Sequence, residues 1–343
     1  MTVALAGHVL ERVMHLNPST YRRHPLHADD RDWVERNCSI DSWIEVLHAQ
    51  GLDPMAMLPF SLAVDFQGDQ WTFYKPSPSD LWDLYGVDVQ ELNVWQPLLD
   101  HVLHHVHEGR LVATESDAFF LPDTRGTDYR SNHSKTSIVI YGVDVDRQRL
   151  HYFHNAGCFQ LEGDDFKGVF GLGTGERAHT LPLFAELIRT DRQKLLAPDA
   201  LRAASARLFA SYVARRPLRN PVAAFARSID ADLGHVQPYG LDAYHAYAFA
   251  NIRQLGSAFE LASLYLRWLK PPDGQCLSDA ADAFATISTT AKALILKAAR
   301  AVHSQRAPNL APMLDAAALE WDRGMHLIDE VLKTADIAVG VRA

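Results

Sequence analysis

Ile40, Trp43, Ile44 and Leu47 recur at helical spacing, and this stripe is bracketed by Asn37, a residue suited to an N-cap, and Gly51, suited to close a helix. The pattern predicts a helix that opens at Cys38. At about 100° per residue Cys38 falls on the side away from the stripe, and the partial positive charge of the helix start favours its thiolate. Downstream, β-rich runs at Trp71 to Tyr74, Leu111 to Glu115, Thr136 to Tyr141 and Leu150 to His154 are separated by turn residues at Gly68-Asp69, Pro76 to Pro78, Leu121-Pro122-Asp123 with Gly126, and Gly163-Asp164. Strands following a leading helix predict an antiparallel sheet packed against it.

Beyond about residue 191 the pattern changes to Ala-rich helical segments: Asp199 to Arg215, Pro221 to Leu233, Leu241 to Leu269, Asp279 to His303 and Ala311 to Lys333, punctuated by Pro217, Pro238, Pro271-Pro272 and Pro308. The expectation is an α+β domain over residues 1–190 and an all-α helical bundle over 191–343, with Arg177 to Pro198 as linker. A chain of 343 residues is long enough for two cores.

A formal charge of −9 excludes a general nucleic-acid surface, which needs clustered basic residues. The three cysteines, Cys38, Cys158 and Cys276, are odd in number and form no Cys-x-x-Cys pair, so no disulfide or metal framework is expected. Met1 to Leu16 is interrupted by His8, Glu11 and Arg12, and nowhere is there an apolar run of about 18 residues, so neither a signal segment nor a membrane span is expected. The composition fits a soluble protein of the cytoplasm.

A thiolate that attacks a carbonyl needs a base and a group to orient that base. His133 precedes the run Thr136 to Tyr141, and Asn155 ends the run Tyr152-Phe153-His154-Asn155, so neighbouring antiparallel strands can set an imidazole beside an amide. His154 is the substitute base, although strand alternation points it to the opposite face from Asn155. Glu115, Asp117 and Asp123 are candidates to meet an ammonium group of a substrate, with Asp117 preferred and turn capping the plainer role for Asp123. His101, His104 and His105 share a helical face, but Leu98, Val102 and Val106 explain that helix by packing, so no metal is expected. His24 and His27 precede the cysteine helix. Gly171 to Gly175 is glycine-rich without a following Lys and reads as a loop.

The stretch from Tyr21 to about Phe170, with Asn37 to Glu45, Asp65-Phe66, Glu115 to Thr124, His133 to Thr136 and Tyr152 to Gly157, resembles a bacterial family of unknown function found beside amino acid:carrier protein ligases. The helix cysteine, the Asp-x-x-x-Leu-Pro turn and the strand ending Gly142-Val143-Asp144 are similar to butirosin-type acyltransferases and the C39-like branch of the papain fold. The resemblance implies a papain-like N-terminal domain and a cysteine acyltransferase, moving an aminoacyl or acyl group from the phosphopantetheine thioester of a carrier protein to an acceptor. Cys38 would be nucleophile, His133 base and Asn155 orienter, with Asn37, Asp117, Thr136 and His154 lining the oxyanion and substrate site. An aminoacylated carrier protein, and an amino acid:carrier protein ligase, are the implied partners. No cofactor of the protein's own is implied beyond the carrier's phosphopantetheine arm.

The chain departs from the pattern in two places: Asp32 stands where papain-like enzymes place an oxyanion glutamine, and Thr136 stands where C39-like sequences place the histidine. Carrier proteins are typically acidic, so Arg215, Arg216 and Arg219, within a wider group of arginines, are expected to dock one. Two other readings stay open: a cysteine amidase or peptidase with the same residues, and a non-catalytic carrier-binding module on the same scaffold.

Overall fold

The computed structural model describes residues 16–172, 184–269 and 274–340. The chain divides into two compact units: residues 1–54 with 76–197, and residues 55–75 with 198–343.

The first unit is built on a helix-plus-sheet plan. Its helices are α1 (Cys38–Ala49), α2 (Pro78–Tyr85), α3 (Leu98–His107) and α4 (Asp164–Phe170); its strands are β1 (Asp88–Glu91), β2 (Leu111–Asp117), β3 (Lys135–Asp144), β4 (Arg149–His154), β5 (Gly157–Glu162) and β6 (Ala185–Arg189). The strands form one antiparallel sheet in the order β1-β6-β2-β3-β4-β5. The expected run Trp71 to Tyr74 contributes only a single bridge, Phe66 to Trp71. Three strands were hidden from sequence patterning, and one of them, β6, lies in the stretch read as a linker. There it pairs with both β1 and β2.

Alternation gives the sheet two apolar faces. One face, with Val112, Ile138, Ile140, Leu150, Tyr152 and Leu161, packs on Leu98, Leu99, Val102 and Val106 of α3 and on Phe166 and Val169 of α4. The other face, with Val139, Tyr141, Phe153 and Cys158, receives α1, which packs across β3, β4 and β5. The sequence stripe on α1 implies a helix with one wet side. Instead every residue from Ile40 to Leu47 is buried, because the segment from Tyr21 to Arg36 covers the side that carries Asp41 and Glu45. Only Cys38, Ser39 and His48 of α1 are half-exposed.

Charges on that covered side neutralise one another. His27, fully buried, bonds through Nδ1 to Glu45 and through Nε2 to Asp41 Oδ1 at 3.0 Å, while Arg36 lies 3.5 Å from the same Asp41 oxygen. Tyr21 Oη donates to Glu45 Oε2 at 2.5 Å. Two carboxylates facing both ring nitrogens require both to carry protons, so His27 is an imidazolium. Burial opposes that charge, and the hydrogen bonds to Asp41 and Glu45 outweigh it, so the His27 pKa is raised.

The second unit holds α5 (Pro198–Ala214), α6 (Pro221–Val236), α7 (Gly240–Ala250), α8 (Ile252–Leu269), α9 (Gln275–His303) and α10 (Ala311–Gly340), with the 3-10 segment Pro54–Ala63 contributing Met55 to Ala63. The expected single helix from Leu241 to Leu269 is broken at Asn251, whose backbone (φ −118°, ψ −66°) leaves helical geometry and separates α7 from α8. Ser205 Oγ donates to the Ala56 carbonyl at 2.8 Å, and Tyr74 Oη shares a 2.5 Å hydrogen bond with Ser257 Oγ. Phe66 and Trp71 pack on Phe225.

Candidate functional site

Asn37 caps α1 as its sequence predicts: its side-chain oxygen accepts from Ser39 N at 3.1 Å and Ile40 N at 3.0 Å. That oxygen is committed to the cap, so Asn37 positions the helix start. Cys38, the next residue, is half-exposed, and among the described residues neither its sulfur nor its backbone N–H has a partner. An unpaired N–H on a first helical turn is the kind of donor that an oxyanion needs.

Lys135 is the cation of this neighbourhood. It begins β3 on the face that α1 covers, is largely exposed, and donates through Nζ to Glu115 Oε1 at 2.6 Å. That hydrogen bond, with the charges of Glu115 and of Cys38, raises its pKa. Lys135 is not singled out by the sequence, since lysine in a turn-strand junction carries no distinctive signal, and Glu115, a candidate there for a substrate ammonium, bonds to this lysine instead.

The histidines expected to serve Cys38 are engaged elsewhere. His133, mostly exposed, bonds through Nδ1 to Asp117 Oδ2 at 2.6 Å and stacks on Phe119 with ring centroids 4.3 Å apart. Its partner is thus the Asp117 carboxylate rather than the Asn155 amide. Asp117 also accepts from Phe119 N at 3.0 Å, so both its oxygens are occupied. Asn155 sits in the turn between β4 and β5 with a left-handed backbone (φ 43°), half-exposed. A two-residue hairpin needs that conformation, and asparagine tolerates it.

His154 points away from α1, as alternation requires, beside Tyr152 on the α3 face. Its Nδ1 bonds to Asp123 Oδ2 at 2.5 Å, its Nε2 to Thr136 Oγ1 at 2.8 Å, and Tyr152 Oη donates to Asp123 Oδ1 at 2.5 Å. Asp123, read from sequence as a turn cap, is therefore a buried acceptor of two side chains. The turn that carries it is fixed by close packing: a Cβ at Gly168 would lie 2.1 Å from the Phe120 ring, so only glycine lets α4 meet this turn.

Other candidates take structural positions. His24 is held low, to about 3, by burial and by the neighbouring charges of His48 and His27. His101, His104 and His105 lie on α3, where burial and neighbouring cations lower the His105 pKa, and among the described residues no cluster is arranged to hold a metal. Cys158 is buried against Tyr141, and burial pushes its thiol up to about 11. Of the glycine-rich run, residues 173–175 lie outside the described residues.

In the second unit Arg216 is not free to dock a partner. It makes two hydrogen bonds with Asp329, at 2.7 and 2.8 Å, beside a groove of about 570 Å³ between α5 and α10. Arg215 lies over the Tyr212 ring at 4.1 Å and is exposed, as is Arg219.

Fold and site together define a mixed α+β protein: an antiparallel sheet unit with an uncommitted cysteine at a helix start, and a helical unit. The chain belongs to the DUF1839 family, with residues 22–190 matching the DUF1839 N-terminal domain and residues 198–330 the DUF1839 C-terminal domain. No curated protein matches the chain.

Proposed function

We propose that this protein is a cysteine acyltransferase that receives an aminoacyl or acyl group from a carrier-protein phosphopantetheine thioester on Cys38 and hands it to a separate acceptor. The observation that carries this reading is the state of Cys38: half-exposed and, among the described residues, with its sulfur and N–H uncommitted and no imidazole hydrogen-bonded to it. That state discriminates between leaving groups. An amide releases an amine, which must be protonated as it departs, a task that papain-like enzymes give to an imidazolium bonded to the nucleophile. A thioester releases a thiolate, which departs without an acid. The Cys38 thiolate attacks the thioester carbonyl, the new C–S bond forms, the old one breaks, and the pantetheine sulfur leaves as thiolate for solvent to protonate. The Cys38 N–H is the available oxyanion donor, and Lys135 supplies positive charge near the sulfur. An amide leaving group finds no acid bonded to Cys38 among the described residues, which disfavours the amidase alternative.

The same observation favours a second reading, a module that binds the loaded carrier without taking its cargo. Of the three arginines expected to dock an acidic carrier, Arg215 and Arg219 are exposed. Incubation of the full chain with an aminoacylated carrier protein, followed by intact mass analysis, tests both. Acyl transfer predicts an aminoacyl adduct that Cys38→Ala abolishes. An adduct that survives Cys38→Ala sinks the transferase mechanism; carrier binding with no adduct supports the module; steady turnover of a free amide supports the amidase.

A further inference from the structure

The sheet face turned away from α1 holds a hydroxyl, an imidazole and a carboxylate in series. Asp123 is a pure acceptor, taking the Tyr152 hydroxyl on one oxygen and His154 Nδ1 on the other. His154 Nδ1 therefore donates to Asp123, and in the neutral ring Nε2 is then the lone-pair atom, 2.8 Å from the Thr136 hydroxyl and placed to accept its proton. This is the tautomer that activates a hydroxyl nucleophile. A second observation points to a ligand: Ser116, directly across from Thr136 in the β2–β3 ladder, is 6% exposed, and its Oγ has no hydrogen-bond partner. A buried hydroxyl left unpaired is destabilising, and a group that accepts its proton removes that cost.

We infer that Thr136, His154 and Asp123 form a second reactive centre that accepts a short acyl group from an ester or thioester, with Ser116 as an oxyanion donor. Thr136 Oγ attacks the acyl carbonyl, its proton passes to His154 Nε2, and the carbonyl π pair moves onto oxygen opposite Ser116. Collapse expels the alcohol or thiol, which takes the proton back from Nε2. Water repeats the sequence, releasing the carboxylic acid and restoring the Thr136 hydroxyl. Thr136 is only 9% exposed, which limits the acyl group to acetyl-like size. Exposed residues border Thr136 at this end of β3: Ser131, Asn132 and His133 before the strand and Lys135 within it.

The test treats the full chain with p-nitrophenyl acetate and maps acetylation by peptide mass analysis. Acetyl on Thr136 is expected in the wild type and in Cys38→Ala, retained in Thr136→Ser on the new serine and absent in Thr136→Ala. His154→Gln slows acylation at this position by about 100-fold or more, the usual worth of a positioned base. Asp123→Asn, which reverses the imidazole tautomer, slows acylation and alters its pH profile. If neither wild type nor a folded Thr136→Ser variant is acetylated here, or if His154→Gln leaves the rate unchanged, the inference is overturned. Acetyl on Cys38 reports only on the thiol site, so this inference and the proposed function fail separately.

Discussion

His27, Asp41, Glu45 and Arg36 show what single residues contribute to the first unit. Each is fully buried, and their charges cancel. Removing one member leaves an uncompensated buried charge, which costs about 3–5 kcal/mol. Glu45→Ala is therefore expected to lower the unfolding free energy by about that much in urea titration, while Glu91→Ala, at an exposed position, changes it by less than about 0.5 kcal/mol. Residues of this kind were poorly legible in the sequence. Asp41 and Glu45 look like the solvated side of an amphipathic helix, and only the chain folding back over them reverses that meaning. Cys38 and Asn37 were legible because capping is decided within four residues. The partners of the sheet histidines were not, because His133 with Asp117 and His154 with Asp123 each meet across 16 and 31 residues of chain.

Elements were legible where burial wrote a pattern. β2, β3 and β4 carry alternating apolar residues, and their centres agree with the runs read from sequence. β1 has one buried residue in four and lies at the edge of the sheet, so alternation is too short to see. β6 is five residues long and was masked by its position in a presumed linker. Asn37→Ala removes the side-chain acceptor for two N–H groups of α1 and is expected to cost about 1 kcal/mol in unfolding free energy. If acyl transfer proceeds as proposed, the same substitution also reduces the rate of Cys38 acylation, because the helix start that presents the sulfur frays. Gly86→Ala places a Cβ 2.2 Å from the Arg192 carbonyl at a left-handed φ of 66°, so it is expected to lower the melting temperature more than Gly68→Ala, where no atom lies within 4 Å. Differential scanning calorimetry of the pair checks this.

At the scale of the whole molecule, His27 makes stability depend on pH. Its folded pKa is raised above the unfolded value of about 6.5. The folded state therefore binds the proton more tightly, and the contribution is fully present below the unfolded value. It is lost as pH rises through the folded value. The expected result is a fall in urea midpoint on the alkaline side that His27→Gln, less stable throughout, does not show. Arg216→Ala tests a different global property: with Asp329 unpaired, the α5–α10 packing loosens by about 1 kcal/mol or less, as expected for a partly exposed pair. Carrier binding by that variant is expected to be unchanged, whereas Arg215→Ala with Arg219→Ala weakens it.

Residues 55–75 leave the first unit and belong to the second. During synthesis this segment emerges early, with Phe66, Trp71 and Tyr74 needing Phe225 and Ser257, which follow more than a hundred residues later. A nascent chain stopped near residue 197 thus holds every residue of the sheet unit together with an apolar strip that has nothing to cover it. Neither unit is a transferable cassette: a single cut after residue 197 strands part of the helical core on the wrong fragment, so separating the two by expression requires excising residues 55–75 and rejoining the chain.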